Sequence, residues 1–127
     1  ICKITLAAEV IPQSKPVEDC DWNPEWDKYT EELFNLSRIV GVPASLRAFK
    51  DTHTDLMGVA SVDDNTVYLN ERLMADGQRD WRIRTYLHEL AHIQSGAYDG
   101  TIAFENAQDL LMSKLALKLL KPQAVVV

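Results

Sequence analysis

Apolar and polar positions alternate at the start of the chain. Apolar side chains occupy every second position from Cys2 to Val10, and Pro12 follows them. This period of two is typical of a half-buried strand, and proline ends such a strand. We therefore predict a strand over residues 1–11. Residues 13–21, rich in turn-forming and acidic residues, are predicted to be a connecting loop or a trimmed domain boundary.

The next apolar pattern has the spacing of a helix. Asn23 and Pro24 fit the cap and the first position of a helix, and Gly41 provides a stop. Between them the apolar side chains recur at helical spacing. They are Trp26, Tyr29, Leu33, Leu36 and Val40.

Three short stretches then have the character of strands. Residues 46–50 form one of them, and residues 58–62 and 66–69 flank the turn-forming sequence Asp63-Asp64-Asn65. Two strand-like runs around such a turn predict a hairpin.

The last third of the chain predicts two helices. The first begins near Asp80 and ends around Gly96, and the second runs from about Thr101 to Leu120, where Pro122 stops it. The order strand, helix, strands, helix, helix predicts an α+β fold in a single domain, 1–127. In it a small, mostly antiparallel sheet packs on the helix that begins near Asp80, and the C-terminal helix lies behind.

Composition and charge exclude several classes of function. Hydrophobic residues make up 46% of the 127 residues and charged residues 25%, as in ordinary globular domains. Nineteen acidic against thirteen basic residues give a net charge of −6, which argues against a nucleic-acid partner. No apolar run approaches the ~20 residues that span a bilayer, so we expect no membrane contact.

The first residue and the cysteines bear on the setting of the protein. The chain opens at Ile1 without the pattern of a signal peptide, so we expect a processed or excised piece of a longer cytoplasmic protein. Cys2 and Cys20 are too few for a disulfide framework and do not have a metal-binding spacing. We expect reduced thiols, with a single bridge as the alternative.

Candidate chemistry lies in the helix that begins near Asp80. His88-Glu89-Leu90-Ala91-His92 is the H-E-x-x-H pattern of zinc hydrolases. Residues four apart on a helix lie on one side, about 6 Å apart along the axis, so both imidazoles can reach one zinc ion. Glu89 projects beside the metal, where it can accept a proton from the water that zinc activates.

A chance occurrence of this pattern is the competing interpretation, in which the histidines are ordinary surface or core residues. The pattern lies within a predicted helix, its intervening positions are apolar, and it uses two of the three histidines of the chain. These three observations favour the metal site.

A catalytic zinc site needs a third protein ligand and one open position. The metzincin extension would require glycine and histidine where the chain has Ser95 and Tyr98, so that subclass is excluded. Glu105, early in the next helix, is the favoured third ligand, and Asp99 is its chief rival. Asp109, one turn after Glu105, is predicted to orient a ligating histidine through its second ring nitrogen. The alternative for both carboxylates is a solvated helix face.

These residues resemble the gluzincin branch of zinc peptidases. The resemblance rests on His88-Glu89-x-x-His92 followed by Glu105-x-x-x-Asp109, and on the hairpin that ends at Asn70. It covers roughly residues 57–115 and is similar to minimal gluzincins such as the ImmA/IrrE-type regulatory peptidases and to bacterial and phage HExxH domains. It implies a zincin-like fold, a zinc cofactor, and an attached or associated regulatory or ATPase domain. The spacer between His92 and Glu105 is shorter than in larger gluzincins.

The expected function is therefore hydrolysis of a peptide bond in a protein or peptide substrate, with Glu89 as general base. Tyr98 is the first candidate for stabilising the oxyanion, ahead of Tyr86 and His53, since a phenol or imidazole can donate a hydrogen bond to it. The strand over 66–69 is expected to pair with the substrate at the rim of the cleft. A zinc-stabilised adaptor without catalysis and a non-peptide amide or ester hydrolase are the alternatives.

Overall fold

The computed structural model describes residues 17–52 and 55–120. The strand predicted for residues 1–11 lies outside these ranges. Cys2 and His53 also lie outside them, so the question of a Cys2–Cys20 bridge stays open.

Three helices follow the predicted positions. Helix α1 spans Asp27–Val40 after a 3₁₀ turn over Pro24–Trp26, α2 spans Arg79–Ser95, and α3 spans Ile102–Leu119. Their ends have local causes. The Asn23 side chain accepts a hydrogen bond from the backbone N–H of Glu25 at 2.9 Å, and α1 ends at Gly41, whose φ of 72° is left-handed. All three helix predictions are thus confirmed to within a few residues.

Among the described residues the sheet has three strands, and its topology is mixed. Strands β1 (Ser45–Phe49), β2 (Gly58–Ser61) and β3 (Thr66–Asn70) lie in the order β1-β3-β2. The hairpin β2–β3 is antiparallel, as predicted, but β1 pairs with β3 in parallel. The expectation of a mostly antiparallel sheet is therefore wrong. The alternating pattern predicts strands, whereas the partner of β1 is fixed by the path of the chain through α1 and the loop after β1.

Helix α2 is the central element of the fold. It contacts β2 and β3 on one side and α1 and α3 on others. The largest group of buried apolar side chains lies among these elements; it includes Leu33, Val40, Val67, Leu69, Leu73, Tyr86, Leu90, Ala91, Phe104, Ala107 and Leu111. Within the described part of the chain, no helix combines the length and the apolar character that a bilayer-spanning segment needs. The architecture is α+β.

A buried arginine fixes the start of α2. The Arg82 side chain is 3% exposed, and its Nη1 donates to the carbonyl oxygens of Leu73 and Ala75 at 2.9 and 3.1 Å. Its guanidinium carbon lies 4.0 Å from the ring centroid of Tyr29 on α1. Arg82 therefore joins α2, the segment before it and α1, and it satisfies two carbonyl groups that the chain turns inward.

Arg82→Met should lower the free energy of unfolding by about 2–4 kcal/mol, because it leaves the two carbonyl oxygens without their donor. Arg38→Met is the matched control: Arg38 is exposed and donates to the side chain of Asn35 one turn away, so the change should cost about 0.5 kcal/mol or less. Urea denaturation of both variants measures the difference. Equal losses would contradict the role assigned to Arg82.

Candidate metal centre

Two histidines of α2 point at one carboxylate. His88 and His92 lie on successive turns, and their Nε2 atoms are 3.2 and 3.1 Å from Oδ1 of Asp99. His92 is fully buried, while the side chains of His88 and Asp99 are about one third exposed. Within residues 17–52 and 55–120, these three form the group of side chains that could hold a metal ion.

A short loop places Asp99 over the histidines. Helix α2 ends at Gly96, whose φ of 63° is left-handed, and Gly100 has a φ of 76°. Both conformations are easy for glycine and strained for other residues. The Thr101 side chain then caps α3 by accepting from the N–H of Phe104 at 3.1 Å. The two glycines and the cap thus reverse the chain within a few residues, with Asp99 at the turn.

The hydrogen bond at the other side of the His92 ring bears on what the site can hold. Nδ1 lies 2.9 Å from the carbonyl oxygen of Ala97. A carbonyl only accepts, so Nδ1 carries a proton, and Nε2 is the ring nitrogen that faces the Asp99 carboxylate, 3.1 Å away. A proton on Nε2 or a metal ion can lie between these two atoms. A metal ion would contact His88 at the same time.

The separations also suit zinc. Nitrogen and oxygen ligands at ~2.0–2.2 Å from a tetrahedral zinc ion are about 3.3–3.5 Å apart. The two N–O distances to Asp99, 3.2 and 3.1 Å, are shorter than this by a few tenths of an ångström. The three ligand atoms all lie within 4.8 Å of one another, so the residues present fit a zinc ion.

Glu105 does not join this cluster, although the sequence favoured it as the third ligand. The side of α3 that faces the histidines carries Phe104, whose ring centroid is 4.3 Å from that of His92 and 5.0 Å from that of His88. Successive residues of a helix are rotated by about 100°, so Glu105 is exposed. The apolar residues Phe104, Ala107 and Leu111 mark the buried face, and their helical spacing is a signal that the sequence contained.

Asp109 borders a cavity that His88 also lines, and its predicted role of orienting that ring stays a prediction. The group near Nδ1 of His88 is the side-chain amide of Gln108, at 3.5 Å, and Asp109 is exposed. Gln108 was missed because an amide was not considered as a partner for a ligating histidine. Both Nδ1 atoms therefore face a polar group on the far side of the ring, an arrangement that holds ligating imidazoles in orientation.

Glu89 is buried beside the cluster. It is 2% exposed, and together with His88 it lines a cavity of about 280 Å³ between α2 and the segment that leads into β2. We call this space the catalytic cavity because the sequence predicts that Glu89 is a general base. Its other lining residues are Asp55, Leu56, Met57, Gly58, Trp81, Arg84 and Thr85. Glu89 is not one of the three clustered side chains, and its role as general base stays a prediction.

Gly58, the first residue of β2, allows the strand to lie directly on the Glu89 side chain. A Cβ atom at this position would be 2.6 Å from Cγ2 of Thr85 and 3.1 Å from Cγ of Glu89. Only glycine permits this approach, because real side-chain carbons do not come so close. Strand β2 is also the edge of the sheet nearest the cavity, whereas β3 is paired on both sides. The expectation that strand 66–69 forms the rim is therefore wrong.

The three candidates for an oxyanion donor have different positions. Tyr86 is fully buried in the core, and burial raises the pKa of its phenol. It is not among the residues that line the catalytic cavity. Tyr98 precedes Asp99 in the loop and is 40% exposed; its proposed role stays a prediction. His53 lies outside the described residues.

Comparisons with known proteins found one partial similarity. No protein-family model matches the sequence, and no solved structure matches it. The chain is similar to a curated protein of Ruegeria sp. (strain TM1040) named bifunctional purine biosynthesis protein PurH, with 32% identity over 75 residues. The match covers 59% of this chain but only 14% of the length of that protein.

Asp99→Ala should lower zinc affinity by more than about 100-fold, because removing a ligand costs more than the 10–100-fold typical of a residue that only orients one. Glu105→Ala, which removes an exposed carboxylate six residues away, should leave the affinity close to that of the wild type. Competition with a chelator of known affinity measures both. A larger loss for Glu105→Ala would restore the ligand set favoured by the sequence.

Gly58→Ala should destabilise the fold by about 1–3 kcal/mol, since the added methyl group overpacks the contact with Thr85. Thr85→Ser removes the methyl group that the new side chain meets. The double variant should therefore recover part of the loss, with a coupling free energy of at least about 0.5 kcal/mol in a double-mutant cycle. Additive losses would show that the close approach described here is not the cause.

Proposed function

We propose that the protein is a zinc-dependent hydrolase, in the first instance a metallopeptidase, whose metal ligands are His88, His92 and Asp99. The observation that carries this proposal is the meeting of two Nε2 atoms with one carboxylate oxygen, at 3.2 and 3.1 Å. One of the three residues, His88, lines the same cavity as Glu89. Three protein ligands are the number found in catalytic zinc sites, where the fourth position is left for water or substrate.

Zinc held by these ligands supplies Lewis-acid activation of a water molecule and of a substrate carbonyl group. The other steps belong to the chain. Glu89 accepts a proton from the attacking water and then delivers it to the leaving amine. Its burial keeps bulk water away from that transfer, and Gly58 holds the carboxylate between α2 and β2. A carboxylate held in one position lowers the entropy cost of aligning it with the attacking water.

The proposal also places an extended substrate at the edge of the sheet, along β2, whose four residues are buried in the absence of substrate. Within the described residues β2 is paired on one side only, with β3, and its first residue lines the catalytic cavity. A peptide that adds to this edge as a further strand gains backbone hydrogen bonds without regard to its sequence. Its carbonyl groups would then pass over Glu89 and His88, which favours a peptide over a smaller amide or ester.

Glu89→Gln separates an enzyme from a zinc-stabilised adaptor. The amide keeps the shape of the carboxylate but accepts no proton, so the rate of peptide hydrolysis should fall by about 10²–10⁴ while zinc content is unchanged. Glu105→Gln makes the same chemical change at an exposed site and should alter neither quantity. Elemental analysis and cleavage of a mixed peptide pool provide the two measurements.

The pool need not contain the natural substrate for the proposal to be decided. Zinc-loaded Glu89→Gln protein used as bait should retain intact a partner that the wild type cleaves and releases. The same uncleaved partner on both baits would contradict catalysis and favour the adaptor.

A further inference from the structure

Helix α3 has apolar side chains on two sides. Phe104, Ala107 and Leu111 pack in the core, whereas Leu110 and Leu117 are 43% and 70% exposed. With a rotation of about 100° per residue, the exposed pair lies roughly 100° around the helix from the centre of the buried three. A second apolar side that faces solvent marks a candidate contact surface.

The exposed leucines belong to a stripe with the spacing of a coiled coil. Alternating steps of three and four residues along α3 connect exposed, uncharged side chains: Ala103, Asn106, Leu110, Ser113 and Leu117. Leu120, at the end of the helix, takes the next position and is 67% exposed. We call these six residues the α3 stripe. Their average period of 3.5 keeps them in contact with a partner helix along its length.

The charges beside the stripe complement a second copy of the same helix. Asp109 directly precedes Leu110 on one edge of the stripe, and Lys114 directly follows Ser113 on the other. In two parallel helices, opposite edges meet through residues five positions apart, as Asp109 and Lys114 are, and two-fold symmetry makes this contact twice. The Lys114 ammonium donates to the carbonyl oxygen of Val40 at 2.9 Å. Since an ammonium has three donors, it can also pair with a carboxylate.

The same charges disfavour an antiparallel pair. In that arrangement each edge meets the same edge of the partner helix. Asp109 would then lie among Ile102, Ala116 and its own copy, an edge without a cation.

We propose that the α3 stripe is a homodimer interface, in which the α3 helices of two copies pack in parallel about a two-fold axis. In this register each stripe residue meets its own copy, so the leucines form apolar layers and the two Asn106 amides can hydrogen bond to each other. The inference does not rest on the proposed function, because no stripe residue is a proposed metal ligand or the proposed base.

The length of the stripe sets the expected affinity. Residues 103–120 span about 26 Å of helix. This is about two and a half heptads, fewer than the three to four that a stable coiled coil sustains. The buried area should therefore lie below the ~1,200 Å² of a standard interface. We expect a dissociation constant on the order of 10–100 μM.

Sedimentation equilibrium of the full chain tests the association. The weight-average mass should rise from that of one chain at about 1 μM toward that of two at about 500 μM. Leu117→Glu places like charges opposite each other across the axis and should weaken the dimer by more than about tenfold. Leu119→Glu is the matched control, since Leu119 is 82% exposed and lies about 160° around the helix from Leu117. It should leave the association unchanged.

Both substitutions are at exposed positions, so the two variants should have the melting temperature of the wild type. The mass of a single chain at every concentration would overturn the inference and leave the stripe for a different partner. Equal weakening by Leu117→Glu and Leu119→Glu would also overturn it, because association would then depend on net charge rather than on the stripe.

A disulfide cross-link tests the parallel register. Cys2→Ser and Cys20→Ala first remove the two native thiols. Ser113→Cys then places two thiols opposite each other across the axis, and mild oxidation should produce a covalent dimer at concentrations where the wild type associates. Leu119→Cys faces away from the axis and should stay a single chain. Equal cross-linking of both variants, or association without a cross-link through Ser113→Cys, would overturn the parallel interface.

Discussion

The proximity of two imidazole nitrogens and one carboxylate oxygen is the constraint on which the rest of the site depends. His92 is fully buried and its Nδ1 is fixed by the carbonyl group of Ala97, so the position of Nε2 is set by the backbone. Asp99 can lie opposite it only because the chain reverses at Gly96 and Gly100. The same reversal brings α3 back along α2, where the two helices contact each other.

Apolar packing decides which side chains stay out of the site. Phe104 fills the space against both imidazole rings, and a carboxylate in its place would be buried on the apolar side of the helix pair. Helix α3 therefore contributes the packing of Phe104 and the side-chain amide of Gln108, while the loop before it contributes the carboxylate of Asp99. Glu89 is held from the opposite direction, by a strand that approaches closely because its first residue has no side chain.

The sequence predicted local structure well and long-range arrangement less well. Asn23, Gly41, Gly96 and Thr101 mark the helix ends by chemistry that acts within a few residues, and the predicted helices and hairpin were found. The parallel pairing of β1 with β3 depends on residues far apart in the chain. Which carboxylate lies near the two histidines, Glu105 or Asp99, depends on which side of α3 faces α2. The helical spacing of Phe104, Ala107 and Leu111 indicates that the apolar side faces α2.

The proposed ligands are brought together by contacts between residues close in the sequence, whereas the pocket around the proposed base needs a contact between distant residues. His88, His92 and Asp99 lie within one helix and its following loop, so a short stretch of chain can assemble them by local contacts that form early and quickly. The pocket around Glu89 is completed only when Gly58, some thirty residues earlier, reaches α2. With the proposed ligands, binding of an ion would therefore precede completion of the pocket around Glu89, and a partly folded chain would hold metal before it could catalyse hydrolysis.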